Sequence, residues 1–221
     1  MATSTGGRPA PTARTRTATA KRAETRQRVL AATIEMVAEH GVAGASASAI
    51  AGRSGLSWGV IQYHFGDRLG LFVAAFDEAI AWFERRQAEA VAAASGSVEE
   101  RVDHLVSRAW AQMTSTGYLG LLEIQLFLHR EPAATAQYRA GTRRADDAAR
   151  AAWRTTLSEL DQDRVDRVHD VAMASLRGLA VSHALGASSS ASARTRRDLA
   201  AASLTALRPW APGPRPAGQR S

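Results

Sequence analysis

The 221-residue sequence has no cysteine, so neither a disulfide framework nor a thiolate metal site is available to it. It has no apolar run of the ~18 residues that would suggest a membrane span, and its start lacks the apolar stretch of a secretory signal. The expectation is a soluble, cytoplasmic, nucleoid-associated chain with no membrane partner. The spacings that carry catalysis are missing too. Six histidines are scattered without an i, i+4 pair, and no Gly-rich phosphate loop, nucleophile elbow or metal-ligand pattern is present. Asp146-Asp147 and Glu99-Glu100 read as solvated helix faces. No catalytic residue, cofactor or metal is expected, and a small helical enzyme becomes the weakest functional class. There is no internal repeat.

What the sequence does have is helix-forming composition and positive charge. Hydrophobic residues make up 45%, with alanine far ahead of the β-branched types, which favours an all-α fold. The net charge is +7, and its location matters more than its size. Arg8, Arg14, Arg16, Lys21, Arg22, Arg26 and Arg28 face Glu24 alone within residues 1–28. Such a basic end suits a polyanion, although a merely solvated tail has the same composition. Residues 1–22, rich in Thr, Ala, Gly, Pro and Arg and lacking a helical period, read as a disordered arm with a second role on phosphates or in a minor groove.

The stretch Ser46 to Arg68, SASAIAGRSGLSWGVIQYHFGDR, organises the rest. It reads as two short helices around a tight turn. Ala51 is small enough for the helices to cross closely, and Gly55 can adopt the positive φ that ends a helix abruptly. Ser46 and Ser57 are placed as N-caps, and each leaves backbone N–H groups at a helix start, where a phosphate fits. Ile50, Leu56 and Ile61 point inward, leaving Trp58, Gly59, Val60, Gln62 and Tyr63 outside. This is a helix-turn-helix whose second helix suits a DNA major groove.

The run from about Glu24 to Ala79 resembles the DNA-binding end of the tetracycline-repressor-like (TetR) transcriptional regulators. The matching pieces are Val29-Leu30-Ala31-Ala32, Ala38-Glu39-His40-Gly41, Ile50-Ala51, Gly55-Leu56-Ser57, Gly59 and Tyr63-His64-Phe65, followed by Arg68 and Leu71. The resemblance covers the first third of the chain. It implies that Ser57 holds a phosphate, that Trp58, Gly59, Val60, Gln62, Tyr63 and His64 contact bases or backbone, and that Arg68 replaces a phosphate-binding lysine. Ser46 and Ser48 join that set, Ser48 standing where arginine is common. Trp58 stands where lysine is frequent and Gln62 where tyrosine is. Gln62 can read adenine bidentately and Val60 can pack on a thymine methyl, so the operator should differ accordingly. Packing against a neighbouring helix is an alternative for Trp58 and Tyr63.

A first helix is expected from about Ala23 to His40, closed by Gly41, and a long one from Arg68 to about Ala94 with Leu69, Phe72, Phe76, Ile80 and Phe83 inward. At 1.5 Å per residue the latter spans roughly 40 Å. Ser97 to Glu100 reads as a capping box. Tyr118 to Leu128 is apolar almost all round, as for a helix within a core, so Glu123 and Gln125 inside it stand out. Pro132 suits the first turn of a helix reaching about Leu160. A helix on Val165, Val168, Ala172, Leu176, Leu179 and His183 follows, then a linker from Gly186 to Ala193 and a last helix over Arg194–Leu207. The architecture is thus all-α with about nine helices: a disordered arm (1–22), a three-helix reader (23–67), a helical ligand-binding and dimerisation domain (68–207) and a disordered tail (208–221).

One reader helix covers few base pairs, so useful affinity needs two. The resemblance implies a homodimer through the last two helices, a palindromic double-stranded operator, and a small-molecule effector that releases DNA. An apolar or amphipathic effector would be lined by Trp110, Met113, Leu122, Gln125, Leu126, His129, Trp153 and Met173, each of which also suits plain core. A sequence-indifferent DNA-binding protein is the competing class.

Overall fold

The computed structural model describes residues 13–186 and 189–207, with backbone alone for 13–19 and 189–192. Among the described residues there are nine α-helices, one short 3-10 turn and no strand. They fall into two compact units. One is drawn from Met1–Glu78 and Gly120–Tyr138, the other from Ala79–Leu119 and Arg139–Ser221.

The first unit is built on α1, Ala13–Gly44. This helix starts ahead of the expected Ala23, because the Ala, Arg and Lys of ARTRTATAKRAE are good helix formers despite lacking an amphipathic period. The rest of the expected arm, residues 1–12, lies outside the described residues. Gly41, at φ 69°, breaks the helix where a C-terminal glycine was expected. Helices α2, Ala47–Ser54, and α3, Trp58–Phe65, follow. The long helix α4, Arg68–Ala93, begins in this unit and continues into the other. Asp67 caps its start, accepting from the Gly70 N–H at 2.7 Å. Phe72 and Phe76 are fully buried with Leu71 and Ala75.

Helix α6, Thr116–Arg130, also belongs largely to this unit. It was expected to be buried all round, and it is not: Gly120, Ile124 and Leu128 are buried, while Leu126 is 53% exposed. Its inner face meets α1 at Gly120, where an added Cβ would stand 2.4 Å from the Ile34 carbonyl oxygen and 3.1 Å from the Ala38 nitrogen. Glu123 emerges at the surface of this helix. It accepts a hydrogen bond from the Val42 N–H at 3.1 Å, just past the break at Gly41. Phe127 packs edge-on against Phe72, with ring centroids 5.4 Å apart.

The second unit contains α5, Val98–Met113, α7, Thr135–Thr156, α8, Gln162–Ala184, and α9, Ser189–Leu207, with the distal part of α4. The start of α7 and the preceding 3-10 turn, Pro132–Ala134, lie in the first unit. Pro132 opens that turn rather than α7 itself. Helices α5, α8 and α9 pack mutually, burying Val102, Leu105, Val106, Val165, Val168 and Leu176 among others. The capping box is present: Ser97 Oγ accepts from Glu100 N at 3.2 Å and Glu100 Oε2 from Ser97 N at 2.7 Å. Helix α9 begins at Ser189, inside the expected linker, and buries Ala200, Ser203 and Leu207, while Ala202 and Ala206 are exposed. Residues 187–188 and the tail from 208 lie outside the described residues.

The contact at Gly120 makes a direct prediction. Gly120→Ala should destabilise the protein by about 1–3 kcal/mol, because the methyl overpacks against backbone that cannot swing away. Gly52→Ala, in α2 with nothing near its virtual Cβ, should be neutral or stabilising by up to ~1 kcal/mol through helix propensity. Urea midpoints for both variants decide it, and equal midpoints would remove the close-approach argument.

Candidate nucleic-acid interface and an apolar cavity

The reader is shaped by its turn. Gly55 sits at φ 68°, ψ 28°, and its N–H and that of Leu56 return to the carbonyls that end α2, Leu56 N to Ala51 O at 3.1 Å. Ser46 and Ser57 are the N-caps, accepting from Ala49 N at 3.2 Å and Val60 N at 3.4 Å. Ser46 Oγ also lies 3.1 Å from Ser48 Oγ. All three serines are exposed. Ile50 and Ile61 are fully buried and Phe65 nearly so, with Leu56 only half-buried.

That leaves one face of α3 outward. Gly59, Val60, Gln62 and Tyr63 are exposed and Trp58 and His64 half-buried. Tyr63 is 77% exposed, so packing beneath the long helix is not its place; its ring meets only the edge of His64 among the described rings, at 5.4 Å. Arg26 of α1 lies 5.0 Å from the Phe65 ring centroid, which puts that part of α1 beside the end of α3. Lys21, Arg22 and Arg28 of α1 are exposed. Arg8 falls outside the described residues, and so do the side chains of Arg14 and Arg16.

Arg68, expected as a phosphate ligand, has its guanidinium engaged within the chain. Its Nε donates to the Ala45 carbonyl at 3.1 Å, its Nη2 donates to the Val42 carbonyl, and its guanidinium lies 4.9 Å from the Phe72 ring centroid. These contacts make it a clasp between the start of α4 and the joint of α1 with α2. The reason is local: the carbonyls in the last turn of a helix have no intrahelical donor of their own, and a five-donor fork can supply one to Val42 and Ala45, at and just past the end of α1.

A second clasp joins α1 to α2. Arg53 bonds both carboxylate oxygens of Glu39, one at 3.0 Å, and reaches Glu35 at 3.5 Å. The hydrogen bond from Arg53 holds the Glu39 carboxyl below its ordinary value of 4.5.

In the second unit a cavity of about 310 Å³ opens among α4, α5, α7 and α8. Its apolar wall includes Trp82, Phe83, Leu105, Met113, Trp153 and Met173. Its polar wall is Arg86, Gln87, Arg108, Gln112 and Ser115. Of the residues expected to line a pocket, Met113, Trp153 and Met173 are brought together here. Trp110 is half-buried elsewhere in this unit, edge-on to His183 at 5.8 Å. Leu122, Gln125, Leu126 and His129 fall in the other unit, on α6. Helix α6, on which those four lie, packs against α1. The polar wall had a sequence signal, Trp82 with Arg86 and Arg108 with Gln112 at i, i+4 on amphipathic helices. No described helix is long and apolar enough to cross a membrane, and the described residues include no cluster of three metal-ligating side chains.

Residues 29–75 match the family model of the bacterial regulatory proteins, tetR family. Over this segment the chain is similar to the tetR family. The match takes in the whole helix-turn-helix, α2 and α3 included. No curated protein sequence matches it. Solved structures share its fold. SCO7518 of Streptomyces coelicolor A3(2), described as a transcriptional regulator, is 22% identical with TM-score 0.61, over 83% of this chain and 98% of its own. The multidrug binding protein EbrR, solved with imidazole, is 22% identical with TM-score 0.57, over 84% and 96%. The regulator FadR of Bacillus subtilis, solved with stearoyl-CoA, is 17% identical with TM-score 0.57, over 82% and 95%.

The first unit should show the Glu39–Arg53 clasp in its pH dependence. The Glu39 pKa is lower in the folded chain than in the unfolded one, so the clasp stabilises above about pH 4.5 and its contribution is lost as pH falls through the folded value. Glu39→Gln should therefore lower the urea midpoint at pH 7 and change it little at pH 3. An equal drop at both pH values would show that the charge on Glu39 is not what ties α1 to α2.

Proposed function

We propose that this chain is a ligand-responsive repressor that binds a palindromic operator as a homodimer and lets go when a small apolar or amphipathic effector fills the cavity of the second unit. The observation that carries the DNA half is the outward face of α3, on which Val60, Gln62 and Tyr63 are exposed while Ile61 and Phe65 are buried. Gln62 presents the donor–acceptor pair that fits adenine, and Val60 a surface for a thymine methyl. Tyr63, Trp58, Ser48 and the capped starts of α2 and α3 at Ser46 and Ser57 take phosphates, with Gly59 permitting close approach and His64 at the margin. Arg68 positions the reader rather than touching DNA.

The pairing half is supported by α8. Val171, Ala174, Gly178 and Val181 are exposed on it, and Leu185 at its end is 83% exposed. Their spacing of 3, 4, 3 and 4 residues draws one apolar seam of the kind that pairs helices. The exposed Ala202 and Ala206 of α9 leave room for a close partner. The effector half is supported by the cavity and by EbrR and FadR, whose structures carry imidazole and stearoyl-CoA.

Binding curves for a duplex carrying the palindrome upstream of the chain's own gene, against bulk DNA at ~0.15 M salt, test the proposal. Specific binding tighter by 10³ or more is expected, and equal affinities would leave only a sequence-indifferent DNA-binding protein. Gln62→Ala should cost about 1–3 kcal/mol on the specific duplex and nearly nothing on bulk DNA. Val171→Glu with Val181→Glu should sediment as a monomer and lose operator affinity without losing helicity; a dimer that survives both changes would move the seam elsewhere.

A further inference from the structure

The polar wall of the cavity has a sign. Arg86 comes from α4 and Arg108 from α5, and both approach one carboxylate oxygen, Glu89 Oε2, at 2.8 Å and 4.0 Å. Arg86 is also held over the Trp82 ring, 5.6 Å from its centroid. Two positive charges thus share one negative one, and neither Glu nor Asp lines the cavity itself. The remaining polar lining groups are the amides of Gln87 and Gln112 and the hydroxyl of Ser115. Met113, Trp153 and Met173, all buried, line the same cavity.

Resting on the effector reading above, we infer that the effector is an organic carboxylate: a short apolar chain or single ring with its anionic head on Arg86 and Arg108 and its body on Met113, Trp153 and Met173. A neutral apolar ligand would take water from two guanidiniums while giving them no acceptor, which is unfavourable. An ammonium would face two like charges, and the Trp82 face that could receive it is already covered by Arg86. A carboxylate accepts the bidentate fork of arginine in plane. The volume of about 310 Å³ lies at the low end of small-molecule sites, ~300–1,000 Å³, so the body is compact. Arg108, the farther of the two from Glu89, has the greater share of its charge left for the ligand.

The test is titration of the full chain, followed by tryptophan fluorescence and thermal shift, with two matched sets of probes. One is octanoate, octan-1-ol and octylamine; the other is 4-phenylbutyrate, 4-phenylbutan-1-ol and 4-phenylbutylamine. At least one carboxylate should saturate and bind tenfold or more tighter than its alcohol, with the amine weaker still. Arg108→Gln should bring that carboxylate to the level of its alcohol and leave the alcohol unchanged. Arg108→Lys should recover part of the difference, and the unliganded melting temperature of each variant shows that it folds. If alcohol and carboxylate bind alike, or Arg108→Gln moves both equally, the carboxylate assignment fails and the effector cavity stands. If none of the six saturates, the cavity itself is not an effector site and the wider reading fails with it.

Discussion

The first unit depends on a missing methyl group. At Gly120 the backbone of α6 lies so close to α1 that any side chain would strike the Ile34 carbonyl, and main chain at that depth cannot turn aside as a side chain can. Everything nearby uses the approach it permits. Glu123, one turn further along α6, reaches the Val42 N–H beyond the break at Gly41. Arg68 takes the Val42 and Ala45 carbonyls on the same joint. Donor and acceptor groups that end a helix are normally left to water; here they are shared between two other helices. The consequence is that α1, the first turns of α4 and α6 position the reader together, and α2 with α3 is added through Arg53 and the buried Ile50 and Ile61.

The two charged clasps do different work. Glu39 and Arg53 lie largely in solvent, where a pair is worth little beyond its geometry, so their value is in orienting α2 against α1. Arg68 is half-buried and bonds neutral carbonyls. Its partners there are backbone carbonyls of the α1–α2 joint, so it ties α4 to that joint through main chain.

Much of this was legible in the sequence because the reader is a local structure. Gly55, Ser46, Ser57 and the Ile50–Ile61 core are specified within about twenty residues, by positive φ, capping and a buried face, and the structure places each as expected. The capping box at Ser97 was readable for the same reason. What was not legible is which helices lie side by side. Leu126 and Phe127 look alike in an apolar run, yet one is largely exposed and the other packs on Phe72, since nothing in the run says which side meets α1. That ambiguity covers Leu122, Gln125, Leu126 and His129 on α6, none of which lines the cavity of the second unit. Arg86 and Arg108 were passed over because a lone arginine on an amphipathic helix reads as solvated face until its neighbour is known. Arg68 was read by analogy with a lysine, although guanidinium and ammonium are not interchangeable where carbonyls wait to be bridged.

The helix α4 gives the effector reading its mechanical content. Its first residue is the Arg68 clasp, and further along it supplies Trp82, Phe83 and Arg86 to the cavity. A ligand alters an equilibrium only by binding one arrangement better than the other, and a tenfold change in operator affinity needs a difference of about 1.4 kcal/mol. An apolar molecule filling a cavity is poorly suited to discriminate, because contact area changes gradually as a helix shifts. A carboxylate bridging Arg86 on α4 and Arg108 on α5 is better suited, since two charge-assisted hydrogen bonds weaken steeply once either donor moves out of line. The same pair of arginines that would select an anion therefore also makes its binding depend on where α4 stands relative to α5, which is the property a released state has to have.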